Sequence, residues 1–262
     1  MAQAKSARTS VCVVMPAHNE AEVVGEQVRA VIAHAALRPG KVIVVDNGST
    51  DGTAAIAREA GATVVSEPRL GYGAACLAGV LAAPRDAIVL LMDADGSDDL
   101  DGAARVATVV LRDEADLAMG SRVRGRLVPG ALTPQQRVGN AVVTVGMRLL
   151  YGARVTDVGP TRAIRRERLL ALDMRELTYG WSSEMLMKAA RAGYRTAEVP
   201  VAYHARAGGT SKVSGTLAGS VRAGYSMLTT LLRYVRWRPA PYESAAGRQA
   251  LAVQATREEG SA

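Results

Sequence analysis

The sequence predicts an α/β protein with a mostly parallel central sheet flanked by helices, in a single domain. Apolar runs of strand length alternate with stretches of helical periodicity through the first hundred or so residues. The runs are apolar on both sides, as strands buried between two helical layers must be. Asp, Asn and Gly collect where successive runs end, at Asp46, Gly71, Asp93 and Asp95. In an open α/β sheet those ends share one edge, and ligands bind there.

The first run, Ser10 to Met15, leads into Pro16-Ala17-His18-Asn19-Glu20. A helix from Ala21 to Ala36 follows, with Val24, Val28, Val31 and Ile32 at helical spacing. Asn19 is the expected N-cap, with Glu20 and Glu22 in the electropositive first turn. His18 reads as an exposed loop residue. The second strand, Lys41 to Val45, runs into Asp46-Asn47-Gly48-Ser49-Thr50-Asp51-Gly52-Thr53, and a helix continues through Ala60. Asp46 at the strand tip suits hydrogen bonds from a base or ribose, and the helix start suits an anion. The same residues also suit an Asx turn with a helix cap.

The third strand is Ala62 to Val65. Gly71-Tyr72-Gly73-Ala74-Ala75 then opens a helix to Leu81. These glycines permit close approach of backbone to ligand, but lack the G-x-G-x-x-G spacing of a dinucleotide site. The fourth run, Ala87 to Met92, ends in Asp93-Ala94-Asp95. Carboxylates at i and i+2 of an extended strand point the same way. Such a pair suits a hard divalent cation that also touches a diphosphate; it also suits a solvated acidic turn.

The second half is less regular. A helix from Asp99 to Arg112 precedes a strand, Asp116 to Met119, then Gly120-Ser121-Arg122 and the basic loop Arg124-Gly125-Arg126. A helix from Gln135 to Leu150 sets Arg137 and Asn140 one turn apart. Thr156 to Ile164 is a turn, containing Asp157, that leads back to a strand containing Arg162. Trp181 starts another helix, and Arg195 to Val201 is a strand that Pro200 assigns to an edge. In Arg206 to Lys212, two cations flank a Gly/Thr/Ser segment suited to closing on phosphate. Leu217 to Arg236 is an amphipathic helix that packs on the core or lies on a membrane, since Tyr234 and Trp237 suit an interface. The expected organisation is a flexible 1–9, one domain over 10–236, and a disordered tail over 237–262.

The 262 residues carry 32 Lys and Arg against 25 Asp and Glu, a net charge of +7. A basic surface favours anionic partners. No helix-turn-helix, zinc-finger or RNA-binding signature is present, and aromatics are 4% of residues, so nucleic acid is not the expected partner. Cys12 and Cys76 lie in apolar stretches and read as free buried thiols in a reducing cytoplasm. No stretch has the length of a membrane span or the form of a signal peptide. The expected location is cytoplasmic, at most peripheral to the inner membrane face.

Met15 to Glu20, Val45 to Thr53, Asp93-Ala94-Asp95-Gly96 and Arg206 to Lys212 occur in the order found in family 2 glycosyltransferases. The chain resembles, in particular, the branch containing dolichol-phosphate mannose synthase and related polyprenyl-phosphate glycosyltransferases. The resemblance spans about residues 10–236. It implies a GT-A fold and inverting transfer of a hexose from a UDP- or GDP-sugar. It also implies that Pro16, Asn19, Glu20 and Asp46 line the base and ribose pocket, with Asn47, Gly71 and Ala94 beside them. Asp93 would lie against ribose and diphosphate, and Asp95 would bind Mg²⁺ or Mn²⁺ with Asp93 as the second ligand. Arg206, Ser211 and Lys212 match R-x-x-G-x-S-K and would hold phosphate. Gly159-Pro160-Thr161-Arg162 stands where relatives often have Gly-Phe-Arg.

The expected acceptor side comprises Ser121, Arg122, Arg137, Asp157 and Arg162, and the preferred acceptor is a polyprenyl phosphate. The expected catalytic group is Asp95, Glu184, Arg206 and Lys212. A hydroxyl acceptor would need a carboxylate base, for which Glu184 is the first candidate and Asp157 the second. The rivals are a glycosyltransferase with a soluble acceptor and a nucleotidyltransferase. Pro16 to Glu20 is not the Gly-rich, cationic loop the latter usually carries.

Overall fold

The computed structural model describes residues 10–125, 134–204 and 229–239. The strands are β1 (Val11–Ala17), β2 (Lys41–Asp46), β3 (Thr63–Ser66), β4 (Ile88–Leu91), β5 (Leu117–Ser121), β6 (Arg162–Arg165) and β7 (Thr196–Pro200). The helices are α1 (Val24–Ala33), α2 (Thr53–Glu59), α3 (Tyr72–Ala82), α4 (Leu100–Leu111), α5 (Pro134–Tyr151), α6 (Arg166–Ala171) and α7 (Trp181–Arg191).

The strands form one sheet in the order β3-β2-β1-β4-β6-β5-β7. β6 runs antiparallel to β4 and β5, and the other pairs are parallel. β7 lies at an edge, as Pro200 requires. Alternation along the strands feeds two core layers. Cys12, Val14, Ile43, Val45, Val89 and Leu91 face α3 and α7. Val11, Val13, Met15, Val42, Val44, Ile88 and Leu90 face α1 and α4. Close packing needs Gly79, where a Cβ would stand 2.3 Å from Val14 Cγ1.

Three expectations change. The first helix begins at Val24, not Ala21, and Asn19 is not its cap. Asn19 instead adopts a left-handed φ of 54° and accepts the Thr50 N–H at 2.8 Å, which ties two loops together. The chain after β6 folds directly into α6, which periodicity over so short a stretch does not announce. Of the expected helix 217–236, residues 217–228 lie outside the described residues. Residues 229–233 are helical, and Leu231 and Tyr234 are buried in the core. Trp237 packs against the same layer.

Candidate active site

A cleft of about 680 Å³ opens where β1 and β4 end. The end of β1 and the loop after it contribute Pro16, His18 and Glu20; Asn47 comes from the loop after β2, and Leu70 and Gly71 from the loop after β3. Beyond β4 stand Asp93, Ala94 and Asp95, and the second half of the chain adds Arg122, Val158, Pro160, Thr178, Tyr179, Ser182 and Tyr203. Residues far apart in sequence meet here because parallel strands deliver their carboxyl ends to one edge.

The loops of the first half lock each other. Asn19 N–H donates to Ser49 Oγ at 3.0 Å, Glu20 N–H to Thr53 Oγ1 at 2.9 Å and Ala21 N–H to Asp51 Oδ2 at 3.1 Å. Asn47 Nδ2 donates to the carbonyls of Glu67 and Arg69, and its Oδ1 accepts the Gly71 N–H, each at 2.8 Å. Asn47 thus shapes the cleft floor through its side chain. Asn19 and Asp46 are not part of the lining; Asp46 Oδ1 accepts the Ser49 N–H at 3.1 Å and holds the loop after β2. The close approach that Gly71 permits is to the protein itself, since a Cβ there would lie 2.2 Å from Leu177 O.

Beyond β4, Asp95 is buried, and its Oδ1 accepts the Ser97 N–H at 3.0 Å and the Ser97 hydroxyl at 2.6 Å. Asp98 accepts the Asp93 N–H at 2.9 Å and the Thr161 hydroxyl at 2.6 Å. Burial pushes the Asp98 carboxyl up to about 6 against those two hydrogen bonds, and the nearby Asp95 charge adds to the rise. Asp98 therefore fixes the turn that carries Asp93 and joins it to the antiparallel strand β6. Among the described residues no cluster of three or more His, Cys, Asp or Glu could cage a metal. Asp93 and Asp95 nonetheless line the cleft together. Two hard oxygen donors suit a Mg²⁺-like cation whose remaining positions go to phosphate and water.

Arg122 lines the same cleft as these carboxylates. Asp157 accepts its backbone N–H at 2.7 Å, its Nε at 2.8 Å and its Nη2 at 2.8 Å, and the Tyr203 ring lies 5.1 Å from its Cζ. Burial alone would lower the guanidinium pKa; Asp157 outweighs it and holds the net value above the ordinary one. Glu198 in turn accepts the N–H groups of Thr156 and Asp157, at 2.6 and 3.1 Å. A fixed cation backed by two layers of carboxylate is suited to an anion.

Several expected site residues are placed elsewhere. Glu184 is fully buried and away from the cleft lining, which corrects its candidacy as a base. Its carboxylate pairs with Lys188 at 2.7 Å and accepts the backbone N–H groups of Arg175 and Glu176. It shapes the segment that carries Thr178 and Tyr179 into the cleft. Asp157 is likewise spent on Arg122. Ser121 is buried and bonds Thr156 Oγ1 at 2.8 Å. Arg162 lies beneath the cleft, 1% exposed, donating through Nε to Gly159 O at 2.9 Å and through Nη1 to Ser182 O. Burial brings it down to about 10 despite the Tyr72 and Asp157 charges. Arg137 is exposed on α5 and outside the cleft lining. Arg206, Ser211 and Lys212 lie outside the described residues.

The model of the family described as Glycosyl transferase family 2 matches residues 12–171, which includes both carboxylates, Arg122 and Asp157. The chain belongs to glycosyl transferase family 2. It is 44% identical over 216 residues to an uncharacterized glycosyltransferase of Mycobacterium tuberculosis, covering 82% of this chain and 94% of that one. It is 35% identical over 225 residues to the dolichyl-phosphate hexose transferase of Haloferax volcanii, covering 85% and 94%. It is 33% identical over 228 residues to the polyprenol monophosphomannose synthase of Mycolicibacterium smegmatis, covering 78% and 81%. Among solved structures, the glucosyl-3-phosphoglycerate synthase of M. tuberculosis with Mn²⁺, UDP-glucose and phosphoglyceric acid shares the fold. The TM-score is 0.71 at 24% identity, over 90% of this chain and 82% of that one.

The cleft and its supports include residues that motif reading passed over. Asp98 and Thr161 were visible only as turn residues, and Tyr72 and Tyr203 only as scattered aromatics. The available signal was an aromatic, Tyr203, shortly beyond an edge strand in a chain with 4% aromatics. Among the described residues no helix is long and apolar enough to cross a membrane.

Proposed function

We propose that the chain is an inverting, metal-dependent hexosyltransferase that moves a hexose from a UDP- or GDP-sugar to a polyprenyl phosphate. The observation that carries the acceptor class is the character of the cleft around Arg122. Among the described lining residues the carboxylates are Glu20, Asp93 and Asp95, and the two acids first considered as bases are both committed to cations. A hydroxyl acceptor needs a base; a phosphate acceptor is already an anion and needs a fixed cation instead. Two relatives whose names specify dolichyl-phosphate or polyprenol-phosphate chemistry support the lipid carrier.

In this reading Pro16, Glu20, Asn47 and Gly71 hold the nucleoside, with Asn19 and Asp46 fixing the loops behind them. Asp93 and Asp95 would hold Mg²⁺ or Mn²⁺, which would supply charge stabilisation for the leaving diphosphate. Arg122 holds the acceptor phosphate, oriented by Asp157. Arg206, Ser211 and Lys212 add phosphate contacts on the strength of their sequence pattern.

The test is calorimetry with UDP- and GDP-sugars, with Mn²⁺ and with chelator, followed by transfer assays. We expect metal-dependent binding of one donor, abolished by Asp95→Ala. An Asp95→Ala protein that binds donor as the parent does would overturn the metal assignment. Transfer to a soluble phosphate ester with none to polyprenyl phosphate would overturn the lipid acceptor.

A further inference from the structure

Helix α5 has two opposed faces. One is internal: Val143 and Met147 are buried, and Asn140 grips the cleft wall. Its Nδ2 donates to Thr156 O at 3.0 Å, and its Oδ1 accepts the Val158 N–H at 2.8 Å. The other face carries Val138, Val142, Val145 and Leu149. Steps of four, three and four residues stack these side chains in one narrow stripe. They are 64, 42, 56 and 75% exposed. Single exposed aliphatic residues are ordinary, but a contiguous line of them marks a surface that something covers.

Charge says what covers it. From Leu117 to Thr156 the chain has six arginines and no acidic residue. Arg137 and Arg148 are both exposed, and each precedes a stripe residue by one position, so both fall on the same flank of the stripe. At the C-terminal end of α5, the Arg191 guanidinium lies 5.9 Å from the Tyr151 ring centroid. Arg191 also lines a cavity with Arg236, Trp237 and Arg238. A second copy of this chain docked through the same face would bring arginines against arginines with no carboxylate on α5 to pair them. An anionic surface with an apolar interior meets both the stripe and its flank.

We propose that α5 is a membrane-docking helix, lying in the interface of an anionic bilayer with Val138, Val142, Val145 and Leu149 among the acyl chains. Arg137, Arg148 and the basic cavity at the helix end meet the headgroup phosphates. The helix cannot cross the bilayer, since its 18 residues include two arginines and an asparagine; it lies flat. Because Asn140 ties the same helix to Thr156 and Val158, docking would bring the cleft wall to the membrane. That consequence rests on the polyprenyl-phosphate reading of the cleft; docking itself does not.

The experiment is co-sedimentation of the full chain with phosphatidylcholine vesicles, with and without about 30% phosphatidylglycerol. The comparison variant is Val142→Ser/Val145→Ser/Leu149→Ser, and thermal melting together with binding of whichever nucleotide sugar the parent binds verifies that it folds. The parent should partition onto the anionic vesicles and release with rising salt, and the triple variant should lose at least about tenfold in partitioning. Arg148→Glu should weaken binding in the same direction. Failure of the folded parent to bind anionic vesicles, or equal binding by parent and triple variant, overturns the proposal. So does a parent dimer in light scattering that the triple variant converts to monomer without any vesicle binding, since a second copy would then own the face. Should the triple variant not fold, Arg148→Glu alone decides, and unchanged binding by it overturns the proposal. Vesicle binding without transfer to polyprenyl phosphate would remove the acceptor reading and leave the docking helix standing.

Discussion

At the scale of single residues, the cleft is built from side chains that spend their hydrogen bonds on one another. Asp157 holds Arg122 by three of its donors, two of them on the guanidinium. Asp157→Asn keeps the shape and removes the charge. A hydrogen bond to a charged group contributes about 1.5–3 kcal/mol, so transfer kcat/KM should fall by roughly 10- to 100-fold. Donor binding by calorimetry should stay unchanged; an equal loss of donor affinity would show that Asp157 supports the nucleotide side instead. Asn47 is the second such residue. Asn47→Ala leaves the carbonyls of Glu67 and Arg69 without their donor and should cost about 1–3 kcal/mol in denaturant unfolding. Ordinary stability in that variant would mean that the loop after β3 is not held from Asn47.

At the scale of elements, two polar contacts decide which pieces dock. On α7, Lys188 pairs with Glu184, donates to Asp173 O and lies 4.6 Å from the Tyr234 ring centroid and 5.1 Å from that of Trp237. Burial pulls the ammonium pKa down, and Glu184 partly restores it. Lys188→Met strands a buried carboxylate and should destabilise by about 3–5 kcal/mol. The double change Glu184→Gln/Lys188→Met should recover part of that loss, and a double variant no better than the single one would argue against the pair. At the other end of the sheet, Asp116 joins the starts of β5 and β7. It accepts the Arg195 N–H at 2.9 Å and the Arg195 Nη2 at 3.0 Å. The Arg195 hydrogen bonds outweigh burial and hold the Asp116 carboxyl below its ordinary value. A lowered carboxylate pKa adds stability above the unfolded value of about 4 and loses it as pH falls through the folded value. Asp116→Asn should therefore be less stable than the parent at pH 7, with the gap closing below about pH 4. A gap of constant size across that range would place the effect in packing rather than charge.

At the scale of the molecule, one sheet divides two apolar layers, and both cysteines lie within the layer that α3 and α7 cover. Cys12 is 1% exposed and Cys76 is 0% exposed. Burial pushes Cys12 up to about 11, against the Lys41 charge, and pushes Cys76 up further. Neither thiol is poised to react in the folded state. Labelling by a thiol reagent should proceed at the rate of unfolding, with both cysteines modified together. Fast labelling of one under native conditions would reveal a local opening that the shared layer does not predict.

The strands and their order of appearance were legible because continuous apolar runs ending in Asp or Asn are local signals. Val11–Ala17, Lys41–Asp46 and the run into Asp93-Ala94-Asp95 announce themselves from the polarity of a few neighbouring residues. The edge position of β7 was legible for the same reason, since Pro200 cannot donate to a central ladder. Family membership was legible from motif order, because each motif is contiguous. The roles of individual acids were not. Glu184 and Asp157 look alike in sequence: each is a carboxylate in a polar segment. Their fates depend on Lys188 four residues on and on Arg122 thirty-five residues away, and burial commits each carboxylate to its cation. Asp98 meeting Thr161 across 63 residues, and the stripe on α5 that stays exposed among the described residues, belong to the same class. Sequence by itself determined what each segment is, since periodicity and turn chemistry act over a few residues; only the tertiary structure decided which charges meet and which apolar faces stay bare, because pairing and burial are set by distant parts of the chain.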